Sequence, residues 1–222
     1  MTKRTSYQTY NTFEKIIQKK VYINYLLYLP DEYYINKEKK WPCIMFLHGG
    51  AEQGDDLNLV KKNGIPKIID KKKDFPFIVI SPQCPEGAWW SNDVLITLLN
   101  EIIKSYKIDE DRVYLTGISM GGYATWELAM EYPDKFAAIA PICGGGDPYH
   151  IDRIKNIPVW AFHGEKDKVV KTYKSKRMVK ALRKCGGNVK LTIYPGMRHD
   201  AWTVTYNNQE LYNWFLKQKR QK

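Results

Sequence analysis

Gly117-Ile118-Ser119-Met120-Gly121-Gly122 lies between two unlike segments of the chain. Ahead of it, Arg112-Val113-Tyr114-Leu115-Thr116 reads as a buried strand with acidic residues upstream. Behind it, Tyr123 to Glu131 reads as a helix that stops at Tyr132-Pro133. A serine in G-x-S-x-G at a strand-to-helix turn is the pattern of a nucleophile elbow. So sharp a turn strains the serine backbone, and the residues two positions away must lack side chains for strand and helix to approach. Gly117 and Gly121 meet that demand, and Gly122 eases the first helical turn against the sheet. Amides at the start of the helix point toward the serine, so the Met120 N–H can bind negative charge that forms beside it. Only partners elsewhere in the chain separate this reading from a plain glycine-rich turn.

Working outward, the same alternation of strand and helix continues in both directions. Val21 to Leu29 alternates as a half-buried antiparallel strand does, and Trp41 to Leu47 is a continuous apolar run that leads into His48-Gly49-Gly50. Phe77 to Ile80 is another such run, with a polar loop and a short helix near Ile65 to Lys71 before it. Asn92 to Tyr106 sets Leu95, Leu98, Leu99, Ile102 and Tyr106 at helical spacing, capped by Ser91 or Asn92. Downstream, Phe136 to Cys143, Ile157 to Phe162 and Val189 to Tyr194 read as strands. Helices are predicted near Tyr173 to Lys184, which Gly186 ends, and near Gln209 to Lys219. Apolar strands separated by helices mean βαβ units, an α/β fold and a mostly parallel sheet. No repeat, linker or composition shift divides it, so residues 1–222 are expected to form one domain. In such sheets working residues gather beyond the carboxyl ends of strands. His48, Gln83, Ser119, Gly144, Asp167 and His199 all fall there.

Composition narrows the function classes. A hydrophobic fraction of 44% fits a globular protein, and no run of eighteen apolar residues exists to cross a membrane. Met1 to Gln8 has basic residues but no apolar segment behind them, so a cytoplasmic protein is expected unless a signal peptide was removed. The four cysteines, Cys43, Cys84, Cys143 and Cys185, form no C-x-x-C pair and have no nearby histidine. Neither a metal site nor a disulfide framework is expected. A net charge of +11 is spread over small groups such as Lys37 to Lys40, Lys71 to Lys73, Lys174 to Arg177 and Lys217 to Lys222. That pattern is solvated surface rather than a nucleic-acid footprint.

A serine hydroxyl is a weak nucleophile that needs a base, and the base needs an orienting acid. On a strand-to-helix elbow of this kind the chain order is serine, acid, histidine. His48 precedes Ser119 and is expected to support its own turn; His163 opens the loop that carries the acids; His150 follows no strand. His199, after the last strand, is the expected base. Asp167 is favoured as its acid, with Glu165 and Asp147 as alternatives, and a helix cap before Val169 as the plainer role for Asp167. The oxyanion of a tetrahedral intermediate needs donors. Met120 N–H is one, and the other is expected from Gly50 N–H, with Ala51 next.

Leu47-His48-Gly49-Gly50, Gly117 to Gly122, His163-Gly164-Glu165-Lys166-Asp167 and His199-Asp200-Ala201-Trp202 together resemble the α/β-hydrolase superfamily. More narrowly, they resemble the compact bacterial esterases often labelled predicted peptidases, related to feruloyl esterases, acetyl xylan esterases and dienelactone hydrolases. The resemblance runs from about Val21 to the end. It implies an α/β-hydrolase fold with a mostly parallel eight-stranded sheet and helices on both faces. It also implies a Ser119–Asp167–His199 triad, an oxyanion hole, and hydrolysis of carboxylic esters without a cofactor. Ser81 to Trp90 resembles the family's stretch after the fourth strand, which makes Gln83, Trp89, Trp90 and Trp202 candidates for the substrate pocket; core packing is the plainer role of the tryptophans. Gly144 to Asn156 is too short for the lid domain that usually sits there.

The expectation is therefore a serine carboxylesterase acting on short acyl, acetyl or aryl esters, either small molecules or carbohydrate-linked. A serine peptidase on the same triad is the alternative, and a non-catalytic binding protein on this fold would need a broken triad.

Overall fold

The computed structural model describes residues 10–70 and 74–220. The stretch from Met1 to Gln8 and the Lys71 to Lys73 cluster lie outside the described residues, as do positions 221 and 222 of the C-terminal basic group. The strands are β1 (Tyr25–Tyr28), β2 (Trp41–Leu47), β3 (Ile78–Pro82), β4 (Ile108–Ile118), β5 (Ala138–Ile142), β6 (Val159–Gly164) and β7 (Val189–Tyr194). The helices are α1 (Gly64–Ile69), α2 (Asn92–Ser105), α3 (Met120–Glu131), α4 (Tyr173–Lys184), α5 (Ala201–Tyr206) and α6 (Gln209–Lys217).

Strand order is β1-β3-β2-β4-β5-β6-β7, with β1 antiparallel to β3 and the other pairings parallel. Period-two alternation along the strands separates two cores. Cys43, Met45 and Leu47 of β2 face one side, where they join Leu99 of α2, Trp126 of α3 and Leu182 of α4. Ile44 and Phe46 face the other, with Tyr114 of β4 and Tyr212 and Phe215 of α6. Burying each of these large apolar side chains contributes ~1.5–3 kcal/mol, and both faces of β2 are covered, as its unbroken apolar run requires.

The sheet has seven strands among the described residues, not the eight implied by the resemblance. Ahead of β1, residues 10–24 form no ladder. Residues 10–20 of that segment show no period-two pattern and carry Glu14, Lys15, Lys19 and Lys20, with Phe13, Ile16 and Ile17 exposed, whereas Ile23 packs against the core. The first strand is also shorter than Val21 to Leu29: its ladder covers Tyr25–Tyr28, extended by a bond from Gln83 N to Asn24 O of 2.8 Å. The expected Gly144 to Asn156 connection is a loop with one 3-10 helix, Pro148–Ile154, packed down through Ile151 and Ile154. No lid domain is inserted there. No described helix is long and apolar enough to cross a membrane.

The chain leaves β2 toward β3 on one side and returns through β4 on the other, so a crevice opens between the carboxyl ends of β2 and β4. Register sets Leu47 directly beside Gly117. The loop after β2 and the turn after β4 are thereby neighbours.

Candidate active site

Ser119 sits between β4 and α3 with φ 52° and ψ −112°, a backbone region that L residues rarely adopt. Holding it there costs of order 1–3 kcal/mol and requires support from the surroundings. The support is visible. Ser119 N donates to Ile142 O of β5 at 2.9 Å, and three glycines remove the side chains that would block the turn. A Cβ on Gly117 would overlap Gly121 O; one on Gly121 would overlap Leu47 O; one on Gly122 would overlap Ile142 O.

The strain aims the hydroxyl at a histidine. Ser119 Oγ lies 2.9 Å from His199 Nε2, and His199 Nδ1 lies 2.6 Å from Asp167 Oδ2. His199 follows β7 and Asp167 follows β6, so the sheet brings together three side chains spread over eighty positions. Of the three acids weighed from the sequence, Asp167 is the one that reaches the imidazole. Glu165 instead accepts a bond from Gly196 N at 2.8 Å, and Asp147 caps its own turn at Tyr149 N. Asp167 also fills the plainer role: Oδ1 accepts from Val169 N at 2.9 Å and Val170 N at 3.0 Å, leaving Oδ2 for the histidine. One carboxylate serves both ends of the loop, and its side chain is fully buried.

Met120 is the first residue of α3 and Gly50 the first of a 3-10 turn, Gly50–Glu52. Amides at such positions are left over by helical hydrogen bonding. A Cβ on Gly49 would come within 3.6 Å of Ile118 O, which places the Gly49–Gly50 backbone alongside the elbow, whereas one on Gly50 would meet nothing within 4 Å. Gly50 thus faces open space.

His48 is buried behind this loop. Its Nε2 accepts the Cys84 N–H at 2.9 Å, so Nδ1 carries the proton and donates to Gly49 O at 2.6 Å. Burial holds its pKa below the ordinary histidine value, and the neutral ring fixes the carbonyl that precedes Gly50.

The four pocket candidates separate. Trp90 is buried against the His48 ring, 4.7 Å between centroids, and its indole donates to His48 O at 3.3 Å. Gln83 is buried too, and its amide donates to Glu52 O at 3.0 Å and Asp56 O at 2.9 Å. Both side chains brace the loop after β2 through its carbonyls. Trp89 points the other way, 54% exposed, with its edge on Tyr123 at 6.2 Å. Trp202 packs edge-on to His199 at 5.1 Å, and its indole reaches Asn63 Oδ1 at 3.4 Å. Asn63 in turn donates to Glu52 Oε1 at 2.6 Å, so the histidine loop is tied to the loop of Gly50.

Two supporting residues escaped the sequence reading. His163 Nε2 lies 3.2 Å from Asp167 Oδ2 and 2.8 Å from Val170 O. Its position in His163-Gly164-Glu165-Lys166-Asp167 was the available signal. Cys143 has φ 49°, and its thiol donates to His199 O at 3.4 Å; nothing in its local sequence marks that role. Cys143, Asp167 and His199 offer ligand atoms within 4.8 Å of one another. The set does not fit a metal centre: Asp167 and His199 are bonded to each other, and burial pushes the Cys143 thiol up to about 12, so it stays protonated.

With this geometry in view, comparison with known proteins is decisive about kinship. Residues 91–213 match the model of the dienelactone hydrolase family. The chain belongs to that family. It is 30% identical over 137 residues to a bifunctional acetylxylan esterase/xylanase, XynS20E, of Neocallimastix patriciarum, covering 58% of this chain and 20% of that protein. It is 29% identical over 132 residues to feruloyl esterase B of Neurospora crassa, covering 53% of this chain and 42% of that one. Among solved structures, a thermostable esterase superposes with a TM-score of 0.78 at 37% identity, over 89% of this chain and 60% of the other. The chain thus spans less than half the length of these two curated relatives.

Proposed function

We propose that the chain is a serine carboxylesterase in which Ser119 attacks the ester carbonyl, His199 takes the hydroxyl proton and returns it to the leaving alcohol, and Asp167 orients the imidazole. Met120 N–H and Gly50 N–H receive the oxyanion. Water, activated by the same histidine, then releases the acid from the acyl-enzyme. The observation that carries this reading is the unbroken relay from Ser119 Oγ through His199 to Asp167, with contacts of 2.9 and 2.6 Å, beside a serine held at φ 52°. The names of the relatives point the same way: one is an acetylxylan esterase and the other a feruloyl esterase.

The absence of a lid insertion between β5 and β6 leaves the crevice open, which suits a small acyl group on a bulky alcohol better than a long chain. A fluorophosphonate probe and nitrophenyl esters test the proposal. Ser119→Ala should fold as the parent does, lose the label, and lose at least ~10³-fold in kcat. Retained turnover in that variant overturns the assignment. Acetate should be preferred to octanoate; the reverse order would rule out the open-site reading.

A further inference from the structure

Residues 166–184 contain nine Lys and Arg against a single acid, Asp167, which is buried in the relay. None of these nine takes part in an ion pair among the described residues. The segment is the loop after β6 and helix α4, and its amino-terminal end is fastened to the elbow. Ser175 Oγ lies 2.8 Å from Gly144 O and 2.7 Å from His163 Nδ1, and Gly144 packs so closely on Gly122 that a Cβ there would overlap the Gly122 backbone. Lys174 and Arg177, three residues apart and so on one face of α4, lean over this junction. Lys174 Cβ would stand 3.0 Å from a Cβ on Gly145, whose other neighbour is the Tyr123 ring, and Arg177 Nη2 donates to Gly146 O at 3.3 Å. Both cations act on the Tyr123 hydroxyl, as does the charge of Asp167.

Exposed aromatic rings flank the same cations. Trp89 packs against Tyr123 in a T-shaped contact, and Tyr173, 55% exposed, lies with Lys174 Nζ 5.4 Å from its ring. The nearby acids are engaged: Glu165, one residue ahead of the segment, accepts from Gly196 N, Glu127 is hydrogen-bonded to Trp89, and Asp147 caps its turn and faces His150. Flat aromatic faces beside unpaired cations suit a polymer of sugar rings that carry carboxylates, because rings stack on the former and carboxylates pair with the latter.

We infer that α4 and its approach loop form a docking site for a uronate-bearing polysaccharide, with Lys174 and Arg177 as specificity residues and Trp89 and Tyr173 as stacking surfaces, so that esters on that polymer are presented to Ser119. This rests on the carboxylesterase reading of the site. A uniformly charged surface would merely keep the protein soluble. Here nine of the chain's 35 Lys and Arg fall in one segment that is tied to the nucleophile's turn.

The test compares kcat/KM on acetylated polygalacturonate with kcat/KM on acetylated neutral xylan. The wild-type ratio should favour the charged polymer, fall ~10-fold in the Lys174→Glu/Arg177→Glu variant, and collapse toward the variant's value in 0.5 M salt. Lys37→Glu/Lys40→Glu makes the same change in net charge ahead of β2, at the opposite end of the sheet, and should keep the ratio. Equal loss in both variants, or a ratio independent of salt, overturns the proposal. Binding needs no turnover, so Ser119→Ala should be retarded in gels containing polygalacturonate and released by the α4 substitutions. If ester hydrolysis fails but retardation persists, the catalytic reading is wrong and the docking site stands. If RNA retards the protein as strongly as polygalacturonate, the uronate assignment is wrong. The salt dependence of the wild type decides the matter even if the double variant does not fold.

Discussion

His163 and His199 approach the same oxygen of Asp167: Nε2 of His163 lies 3.2 Å from Oδ2, and Nδ1 of His199 lies 2.6 Å from it. The first imidazole is wholly buried and held by Ser175 at Nδ1 and Val170 O at Nε2, which sets its ring against the carboxylate. Asp167 is thus positioned from two sides, by the Val169 and Val170 amides on Oδ1 and by His163 on Oδ2.

Replacing His163 by Phe fills the space but removes its polar contacts to Ser175, Val170 and Asp167. kcat on nitrophenyl acetate should fall ~10–100-fold with little change in KM, the signature of a misplaced acid and not of lost substrate binding. A KM rise at constant kcat would refute a positioning role. Melting temperature, measured in parallel, separates misplacement from unfolding.

The glycines of the elbow should differ sharply from the glycine after β2. Gly121→Ala forces a methyl group into Leu47 O and His48 O, backbone atoms that cannot yield. A loss beyond ~3 kcal/mol, or failure to fold, is expected. Gly50→Ala meets nothing within 4 Å and has no left-handed backbone to strain, so its denaturation midpoint should stay within ~0.5 kcal/mol of the parent. Urea melts of the two variants provide the comparison.

That contrast also shows what a sequence can and cannot disclose. Gly117, Gly121 and the strand ends could be named in advance, because strand-to-helix periodicity and a fixed spacing are local properties. The three side chains of the relay could be picked by their order along the chain. Trp89 and Trp90 could not be told apart: they are adjacent and chemically identical, yet one is exposed beside Tyr123 and the other is buried under His48. Which one turns outward depends on the path of the loop from β3, which is a tertiary fact. The partners of Gln83 are hidden for the same reason, since its amide finds carbonyls of a loop about thirty residues earlier. α5 went unnoticed because Asp200, whose side chain caps it at Thr203 N, sits inside a motif read for its histidine.

Cysteine chemistry should be silent in the folded protein. Burial raises the thiol pKa values of Cys43, Cys84 and Cys143, so none is a ready nucleophile even though Cys143 lies beneath His199. Iodoacetamide at pH 8 should leave ester hydrolysis intact, while Ellman's reagent titrates at most the partly exposed Cys185 before denaturation and all four thiols after it. Rapid inactivation by iodoacetamide would show that the thiol beneath the relay is accessible.

Acid should destabilise the fold through two buried imidazoles. Burial holds the pKa values of His48 and His163 below the ordinary value in the folded state. In the unfolded chain both take up a proton near pH 6.5. The unfolded state therefore binds more protons as pH falls, and stability declines below about pH 6.5 by up to ~1.4 kcal/mol per pH unit for each ring until its folded-state pKa is reached. Melting temperature should be level between pH 7 and 8 and fall from pH 6.5 to 5. His48→Gln, with one imidazole fewer, should show a shallower fall; an unchanged slope would remove His48 as a contributor.

Trp202 should matter through the histidine it leans on. Its ring meets His199 edge-on, and its indole joins Asn63 and Glu52 in a bridge from the histidine loop to the loop of Gly50. Trp202→Phe keeps the ring contact and breaks the bridge, whereas Trp202→Ala removes both and leaves the imidazole free to swing from Ser119. kcat should fall in that order, a few-fold for Phe and ~10-fold or more for Ala, because small displacements of a catalytic base are costly. Asn63→Ala should match Trp202→Phe, since each cuts the same bridge, and the double variant should be no worse than either alone. Additive losses in that cycle would mean that the two side chains act separately and that the bridge does not position His199.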